Sequence, residues 1–232
     1  CNIRISNDVS TTESRSYQDV VKKLAAGISS TEELFKCIHN RTVNKWGKDT
    51  ILAALTGLVT EVDADIIGDY WTEVQLAKQH KQKYQDKMLD ICKEHFPKEM
   101  ERLQTIPGIK ERSATSIIAE LGTDMKSFET AAHLVSWAGL KPRNDESAGR
   151  IKGRRITHGN KYLRQILIEC AWAASKTKGC FYNRFSYTQV NVRRKNRMKV
   201  QVAIARKLLV AIWHVIHDGV DYKEYTDIDK SR

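Results

Sequence analysis

Residues 103–123 read LQTIPGIKERSATSIIAELGT, and this short segment indicates the fold class of the region around it. The pair Pro107-Gly108 is typical of a tight turn. After the turn, Gly122 is placed to end a helix. Apolar residues recur before it at helical spacing, and they are Ala114, Ile117, Ile118 and Leu121. The segment therefore predicts two helices joined by a tight turn.

This turn is also a candidate binding site for phosphate. A helix that begins directly after a turn leaves backbone N–H groups free at its first residues, and these groups and the helix dipole attract anions. The candidate contacts are Gly108, Lys110 and Arg112. The pattern is similar to the helix-hairpin-helix element with which many DNA-handling proteins hold the phosphate backbone. An ordinary helical turn is the alternative.

A long helical pattern precedes the turn, from Asp49 to Phe96, and no proline interrupts it. Its apolar residues recur at alternating spacings of three and four, which is the pattern of a coiled-coil seam. The seam positions are Leu52, Leu55, Val59, Val62 and Ile66 and, after a shift of one residue, Ile67, Tyr70, Val74, Ala77, Tyr84, Met88 and Ile91. The pattern predicts a dimerisation helix; a long helix packed on its own domain is the alternative.

Helical patterns also follow the turn, and no series of strands is evident, so the sequence predicts an all-α fold. Helices are expected at residues 129–138, 160–175 and 199–217, with a loop between the first two. The predicted organisation is a lead-in with short helices at residues 1–48, a coiled-coil helix at 49–100, a small helical domain at 101–222 and a tail at 223–232.

The net charge of +11 arises entirely in the C-terminal part of the chain. Residues 1–100 contain 14 Lys and Arg against 15 Asp and Glu, whereas residues 101–232 contain 25 against 13. An asymmetry of this kind indicates a polyanionic partner, most simply nucleic acid.

Composition argues against several other classes of protein. The five cysteines include no C-x-x-C pair, which favours reduced thiols in a cytoplasmic protein over a disulfide framework. No apolar run approaches the roughly 20 residues of a membrane helix, so no membrane partner is expected. The pairs Cys92/His95 and His214/His217 have ligand-like spacing, but no second pair completes a zinc set. We therefore predict no metal site and no cofactor within this chain.

The densest basic segment is KPRNDESAGRIKGRRITHGNKYLRQIL, residues 141–167. Its candidate phosphate contacts are Arg143, Arg150, Lys152, Arg154, Arg155 and Arg164. Ser147 lies among these cations. A serine hydroxyl is a weak nucleophile until a base or metal activates it, so composition alone favours a hydrogen bond to phosphate over catalysis. Both roles stay open on composition.

A further basic segment, VNVRRKNRMKVQVAIARK at residues 190–207, contains no acidic residue. Its candidate nucleic-acid contacts are Arg193, Arg194, Lys195 and Arg197. Phe181, Tyr182, Phe185 and Tyr187 precede it, and basic residues beside aromatic ones suit single-stranded or RNA-like ligands through stacking. Packing of these aromatic residues in a core is the alternative.

Three motifs in this order resemble the C-terminal domain of the DEDD-type insertion-sequence transposases, a family whose better characterised members are bridge-RNA-guided serine recombinases. They are TIPGI with IIAELG within residues 105–122, LVSWAGLKPRNDESAG at residues 134–149 and ITHGNKYLRQIL at residues 156–167. The resemblance covers about residues 103–221. In this family a RuvC-like nuclease domain with four acidic residues precedes a coiled coil and this small helical domain.

The resemblance implies that Ser147 is the catalytic nucleophile, which forms a covalent phosphoserine link that a 3′-hydroxyl later reverses. It also implies nucleic-acid contacts at Thr157, His158, Asn160 and Arg164. DNA and a guide RNA are the implied partners of an assembly of several copies in the bacterial cytoplasm. Mg²⁺ is implied for a RuvC-like half, whose acidic residues are not in this chain. We therefore expect these residues alone to bind nucleic acid without recombining DNA.

Two other functions agree with the same residues. One is a non-catalytic helix-hairpin-helix module that only binds DNA. The other is a coiled-coil protein whose basic tail binds RNA for assembly. Neither requires Ser147, so a covalent DNA–protein adduct at that residue separates the transposase from both.

Overall fold

The computed structural model describes residues 3–9, 11–142, 145–147, 150–153 and 156–224, and the fold is mostly helical, as predicted. The helices are α1 (Arg15–Ala25), α2 (Thr31–Phe35), α3 (Asn40–Trp46), α4 (Lys48–Leu55), α5 (Glu61–His95), α6 (Pro97–Gln104), α7 (Glu111–Leu121), α8 (Ala131–Trp137), α9 (Lys161–Lys176), α10 (Phe181–Tyr187) and α11 (Arg197–His217). A π-helical turn occupies Thr188–Val192. Two short antiparallel strands, β1 (Asp145–Ser147) and β2 (Arg150–Gly153), lie where a loop was expected.

The chain divides into two compact units, residues 1–83 and 84–232. The division lies within α5, whereas boundaries after residues 48, 100 and 222 were predicted from the sequence. One helix thus contributes its first part to unit 1 and its last part to unit 2. The predicted tail begins at residue 223, of which the structure describes only the first two residues.

The predicted long helix is present, but its expected start at Asp49 was wrong, because α4 ends at Leu55 and α5 begins only at Glu61. Thr60 and Asp63 form a reciprocal cap at the start of α5. The Thr60 N–H donates to Asp63 Oδ2 at 2.9 Å, and the Asp63 N–H donates to Thr60 Oγ1 at 3.1 Å. This spacing of a hydroxyl and a carboxylate is a start signal for a helix, and it is readable in the sequence.

Unit 1 has a small core of its own, formed by residues that include Leu34, Ile51 and Leu55, all fully buried. Val59 and Ile67 pack against this core. Three positions of the predicted seam, Leu55, Val59 and Ile67, therefore contribute to the core of unit 1. For these positions the alternative, packing within the chain's own domain, is confirmed.

Unit 2 is built around α9 and α11, whose buried faces meet in a larger core. The buried residues of α11 are Val200, Gln201, Ile204, Ala205, Leu208, Leu209, Ile212, Trp213 and Val215. Among the described residues, α11 is the one helix long and apolar enough to cross a membrane by length and composition, but half of that stretch is buried inside the protein. Packing within unit 2 thus accounts for much of its apolar surface.

Candidate nucleic-acid interface

The predicted turn between two helices is present, with α6 ending at Gln104 and α7 beginning at Glu111. Gly108 has φ +88° and packs against the backbone of α9. A Cβ atom at this position would lie 2.5 Å from the carbonyl oxygen of Cys170 and 2.7 Å from the amide nitrogen of Ala174. The glycine is therefore explained by a close approach of two protein segments, and the phosphate contact predicted for it stays a prediction.

The first turn of α7 presents the other two candidates, because Lys110 and Arg112 are both exposed. The Lys110 N–H donates to Ser113 Oγ at 2.8 Å, which closes the helix start. Glu111 lies between the two cations, and its Oε1 is 2.6 Å from Lys93 Nζ. This hydrogen bond raises the pKa of Lys93 and offsets the acidic charge beside the candidates. The helix start thus keeps a positive local charge.

Ser147 lies at the closed end of the β1–β2 hairpin. The strand register pairs Asp145 with Gly153, Glu146 with Ile151 and Ser147 with Arg150, with an irregularity between Asp145 and Glu146. The register thus places Arg150 directly opposite Ser147, although the two are separated by residues 148–149 in sequence. Lys152 lies in β2. The candidates Arg143, Arg154 and Arg155 lie outside the described residues.

The two arms of the chain that lead into the hairpin meet at a pair of glycines. Gly139 has φ +70°, and a Cβ atom on it would lie 2.8 Å from the amide nitrogen of Gly159. A Cβ atom on Gly159 would lie 2.3 Å from the amide nitrogen of Gly139. Beyond this contact, the Thr157 N–H donates to the carbonyl oxygen of Lys141 at 3.0 Å, and Pro142 pairs with Ile156. We call the contact between Gly139 and Gly159 the glycine clasp.

Asn160 connects the glycine clasp to the helices. Its Oδ1 accepts hydrogen bonds from the N–H groups of Tyr162 and Leu163, so it caps α9. Its Nδ2 donates to Glu120 Oε2 of α7 at 2.7 Å. The side-chain oxygen and one amide hydrogen of Asn160 are therefore engaged within the chain. The nucleic-acid contact predicted for this residue stays a prediction.

The remaining candidates near the hairpin differ in exposure. His158 is exposed and Arg164 is half-buried. The Oγ1 atom of Thr157 is buried and has no hydrogen-bond partner among the described residues. Leaving a buried hydroxyl unsatisfied costs free energy, so this atom lowers the stability of the base of the hairpin.

We expect Gly159→Ala to open the base of the hairpin, because the new Cβ would meet the backbone of Gly139. Local stability should fall by about 2 kcal/mol, so amide exchange at Thr157 should speed up about 30-fold. Hydrogen exchange followed by mass spectrometry measures this. Gly122→Ala is the control, since a Cβ there meets nothing within 4 Å; its φ of +69° adds backbone strain at the end of α7, which should leave exchange at Thr157 unchanged. An unchanged rate of amide exchange at Thr157 in Gly159→Ala would show that the glycine contact does not stabilise the base of the hairpin.

The basic candidates Arg193, Arg194, Lys195 and Arg197 are all exposed; the first three lie between the π-helical turn and α11, and Arg197 is the first residue of α11. Three features near them were not predicted. They are the capping of α11 by Asn196, the contact of the Arg197 guanidinium with the Trp172 ring at 5.3 Å, and the positive φ of Arg194. The Asn196 cap could have been read from the sequence, since asparagine is a preferred cap.

Two possible reactive groups in unit 2 are buried and therefore poor candidates for chemistry. Burial raises the pKa of the Cys170 thiol, which keeps it in its unreactive protonated form. Burial likewise raises the pKa of Tyr182, so this phenol stays neutral. Over the ranges that the structure describes, no group of three His, Cys, Asp or Glu could hold a metal ion.

Several known proteins are similar in sequence to part of this chain. The chain is 30% identical over 122 residues to a protein of insertion element IS110 of Streptomyces coelicolor, which covers 52% of this chain and 29% of that protein. It is 32% identical over 119 residues to the pilin gene-inverting protein of Moraxella bovis, which covers 50% of this chain and 36% of that protein. It is also 26% identical over 142 residues to the transposase of insertion sequence IS1111A of Coxiella burnetii, which covers 60% of this chain and 38% of that protein.

The chain therefore spans only about a third of the length of the relatives that it matches. The matched family model is described as the transposase IS116/IS110/IS902 family, and it extends over residues 100–186. This stretch includes the second half of α6, all of α7 to α9, the β1–β2 hairpin and all but the last residue of α10. Residues 100–186 thus carry a domain similar to that of the IS116/IS110/IS902 family of transposases.

Proposed function

We propose that this chain is the DNA-binding, serine-bearing part of an insertion-sequence transposase that cleaves and rejoins DNA. The observation that supports the proposal best is that the region similar to transposases, residues 100–186, contains both the α6–α7 turn and the hairpin with Ser147. The name of one relative, the pilin gene-inverting protein, describes an inversion, and inverting a gene requires DNA to be cut and rejoined.

In the proposed reaction, the Oγ atom of Ser147 attacks the phosphorus of a phosphodiester. A bond forms between Oγ and phosphorus, the bond from phosphorus to the 3′-oxygen breaks, and that oxygen leaves with a proton. The serine proton passes to a base. Another 3′-hydroxyl reverses the step by displacing the serine, and because the link conserves the bond energy, no nucleotide cofactor is needed. Arg150, opposite Ser147 in the register, is the candidate for stabilising charge on the phosphate.

We assign no Mg²⁺ to the described residues, because they do not bring together a set of ligands for it. In the proposal, Mg²⁺ belongs to a RuvC-like half with its own acidic residues, and residues 1–232 alone bind DNA without recombining it. The resemblance alone supports a guide RNA as a further partner. The proposed setting is the bacterial cytoplasm.

The direct test is to trap the covalent intermediate. The complete protein, including any sequence that flanks residues 1–232, is incubated with DNA of the element that encodes it and then denatured. We expect a protein–DNA species that survives denaturation, with the nucleotide attached to Ser147 in peptide mass spectrometry. DNA cleavage with no adduct, or with an adduct at another residue, would contradict the proposed chemistry.

We also propose that α5 pairs with the same helix of a second copy. Several seam positions of α5 remain exposed, and they are Val62, Ile66, Tyr70, Val74, Tyr84, Met88 and Ile91. From Val74 onwards the seam follows the regular spacing of a coiled coil, with Lys81 and His95 as its polar positions. A stripe of apolar residues along 35 residues of helix is typical of a surface that another helix covers.

Tyr84→Asp should weaken this association at least about tenfold, because it places a charge in the apolar seam. Tyr84 is 58% exposed, so the fold of the single chain should tolerate the change. Sedimentation equilibrium of the 232-residue chain measures the dissociation constant. Gln79→Asp, at an exposed position outside the seam, is the matched control. A monomeric parent chain, or equal effects of both substitutions, would refute the pairing.

A further inference from the structure

A second exposed basic surface lies on unit 2, apart from the hairpin. We call it the connector surface, and its members are Arg193, Arg194, Lys195, Arg197 and Lys199, all exposed. The sequence contains no acidic residue between Glu169 and Asp218. Within the described part of the chain, no ion pair involves any of these five cations. Their charge is therefore not neutralised locally.

The backbone of the connector surface is well fixed. The Arg193 N–H donates to the carbonyl oxygen of Thr188 at 2.9 Å, and the Lys195 N–H donates to that of Gln189 at 3.0 Å. Arg194 lies between these two bonds with φ +52°, the one non-glycine residue of the described chain with a positive φ. Asn196 then caps α11. The basic residues therefore lie on a turn whose backbone is held by hydrogen bonds on both sides.

The position of these charges is unfavourable for the fold taken alone. The N-terminus of a helix carries a partial positive charge, which cations nearby destabilise and anions stabilise. The first turn of α11 contains no acidic residue, but it contains Arg197 and Lys199, and Arg193, Arg194 and Lys195 come just before it. A bound anion would relieve this repulsion, and the N-terminus of a helix is a good place to bind one.

The surroundings of the connector surface fit a nucleic acid better than a small anion. The Arg197 guanidinium lies 5.3 Å from the centre of the Trp172 ring, which holds this side chain against α9. Tyr187, Val192 and Met198 are 63%, 66% and 54% exposed. Apolar groups beside a row of cations can contact sugars while the cations contact successive phosphates.

Helix α9 separates the connector surface from the hairpin. Asn160, at the base of the hairpin, caps the N-terminus of α9, whereas Arg197 contacts Trp172, twelve positions further along. At a rise of 1.5 Å per residue this separation is about 18 Å along the helix axis. The phosphates of one strand of B-form DNA advance about 3.4 Å per base pair, so the separation corresponds to about five base pairs.

We infer that the connector surface is an anchor for duplex DNA, which it holds about five base pairs along from the base of the hairpin. The role of the hairpin in catalysis rests on the proposed function, but the affinity of the connector surface for DNA does not. The anchor contributes affinity and register, while the hairpin contributes the chemistry. Duplex DNA is the favoured occupant because one duplex can span both surfaces.

The test neutralises three cations for whose side chains the described structure shows no hydrogen bond or ion pair, in the triple variant Arg193→Gln, Arg194→Gln and Lys195→Gln. Anisotropy titrations of the 232-residue chain compare a 20-base-pair DNA duplex with an RNA duplex of the same sequence at several salt concentrations. We expect DNA affinity to fall at least about tenfold, and the dependence of log K on log salt to lose about two to three units of slope. The midpoint of thermal unfolding should stay the same or rise, because repulsion at the start of α11 is removed.

The matched control is Lys87→Gln, Lys98→Gln and Lys126→Gln, which removes the same charge from exposed positions elsewhere on unit 2. Equal losses in both variants, a lower unfolding midpoint in the first, or a loss confined to the RNA duplex would each overturn the inference. In the complete protein, the triple variant should form the Ser147 adduct normally once DNA is saturating. If the parent forms no adduct but the triple variant still loses DNA affinity, the proposed chemistry fails and the anchor stands.

Discussion

Replacing Ser147 by alanine should abolish the covalent DNA–protein species in the complete protein. Alanine offers no nucleophile, and the rate of strand exchange should therefore fall by about a thousandfold or more. The hydroxyl contributes little to binding in comparison with the surrounding cations, so DNA affinity should change by less than about twofold. Denaturing gels measure the adduct, amplification of recombinant junctions measures strand exchange, and anisotropy measures affinity.

Ser136→Ala is the matched control for this experiment, since Ser136 is an exposed serine of α8 in the same unit. It should leave the adduct, strand exchange and affinity as in the parent. An adduct that persists in Ser147→Ala would exclude Ser147 as the nucleophile. DNA binding without an adduct in either the parent or the variant would favour the non-catalytic DNA-binding module instead.

The largest expected loss of stability follows from Gly108→Ala. The new Cβ would lie within 2.8 Å of three atoms of α9, two of them in its backbone, and φ would remain +88°. Adding a methyl group at such a contact costs about 1–3 kcal/mol, and the left-handed backbone adds about 1–2 kcal/mol. We therefore expect the free energy of unfolding to fall by about 4 kcal/mol. Urea unfolding followed by circular dichroism measures it.

Gly179→Ala separates the two contributions to that loss. Gly179 has φ +82°, close to that of Gly108, but a Cβ there meets nothing within 4 Å. This substitution should cost about 1 kcal/mol, from the backbone alone. If the two alanine variants were equally stable, the packing of the α6–α7 turn against α9 would not be as the structure describes it.

Most helices of unit 2 could be predicted from local signals, although α10 (Phe181–Tyr187) was not. Pro107-Gly108 marked the turn, Gly122 marked the end of α7, and Asn160 preceded α9, all within one or two residues of the observed bounds. Such signals act over a few residues, because caps and turns satisfy the backbone groups next to them. The break between α4 and α5 had a local signal too, Thr60 with Asp63, which the longer seam pattern masked.

The features that position the candidate site could not be predicted in the same way, because they join residues far apart in sequence. Gly108 faces Cys170 and Ala174, and Asn160 donates to Glu120, 40 residues earlier. The strands β1 and β2 are only three and four residues long, too short for an alternating pattern to stand out. Contacts between residues far apart in sequence decide whether and where such elements form. A single sequence does not show which of its residues are in contact.

The glycine clasp has a consequence for how this domain can change over time. The chain leaves the helical core after Leu140, which is still buried, and returns to it at Gly159, which lies against Gly139. The segment that follows Leu140 therefore begins and ends beside the same pair of glycines. Residues can be gained or lost within it without moving α8 or α9. The segment that bears the serine can thus vary in length and sequence during evolution, while the helices on either side of it keep their packing.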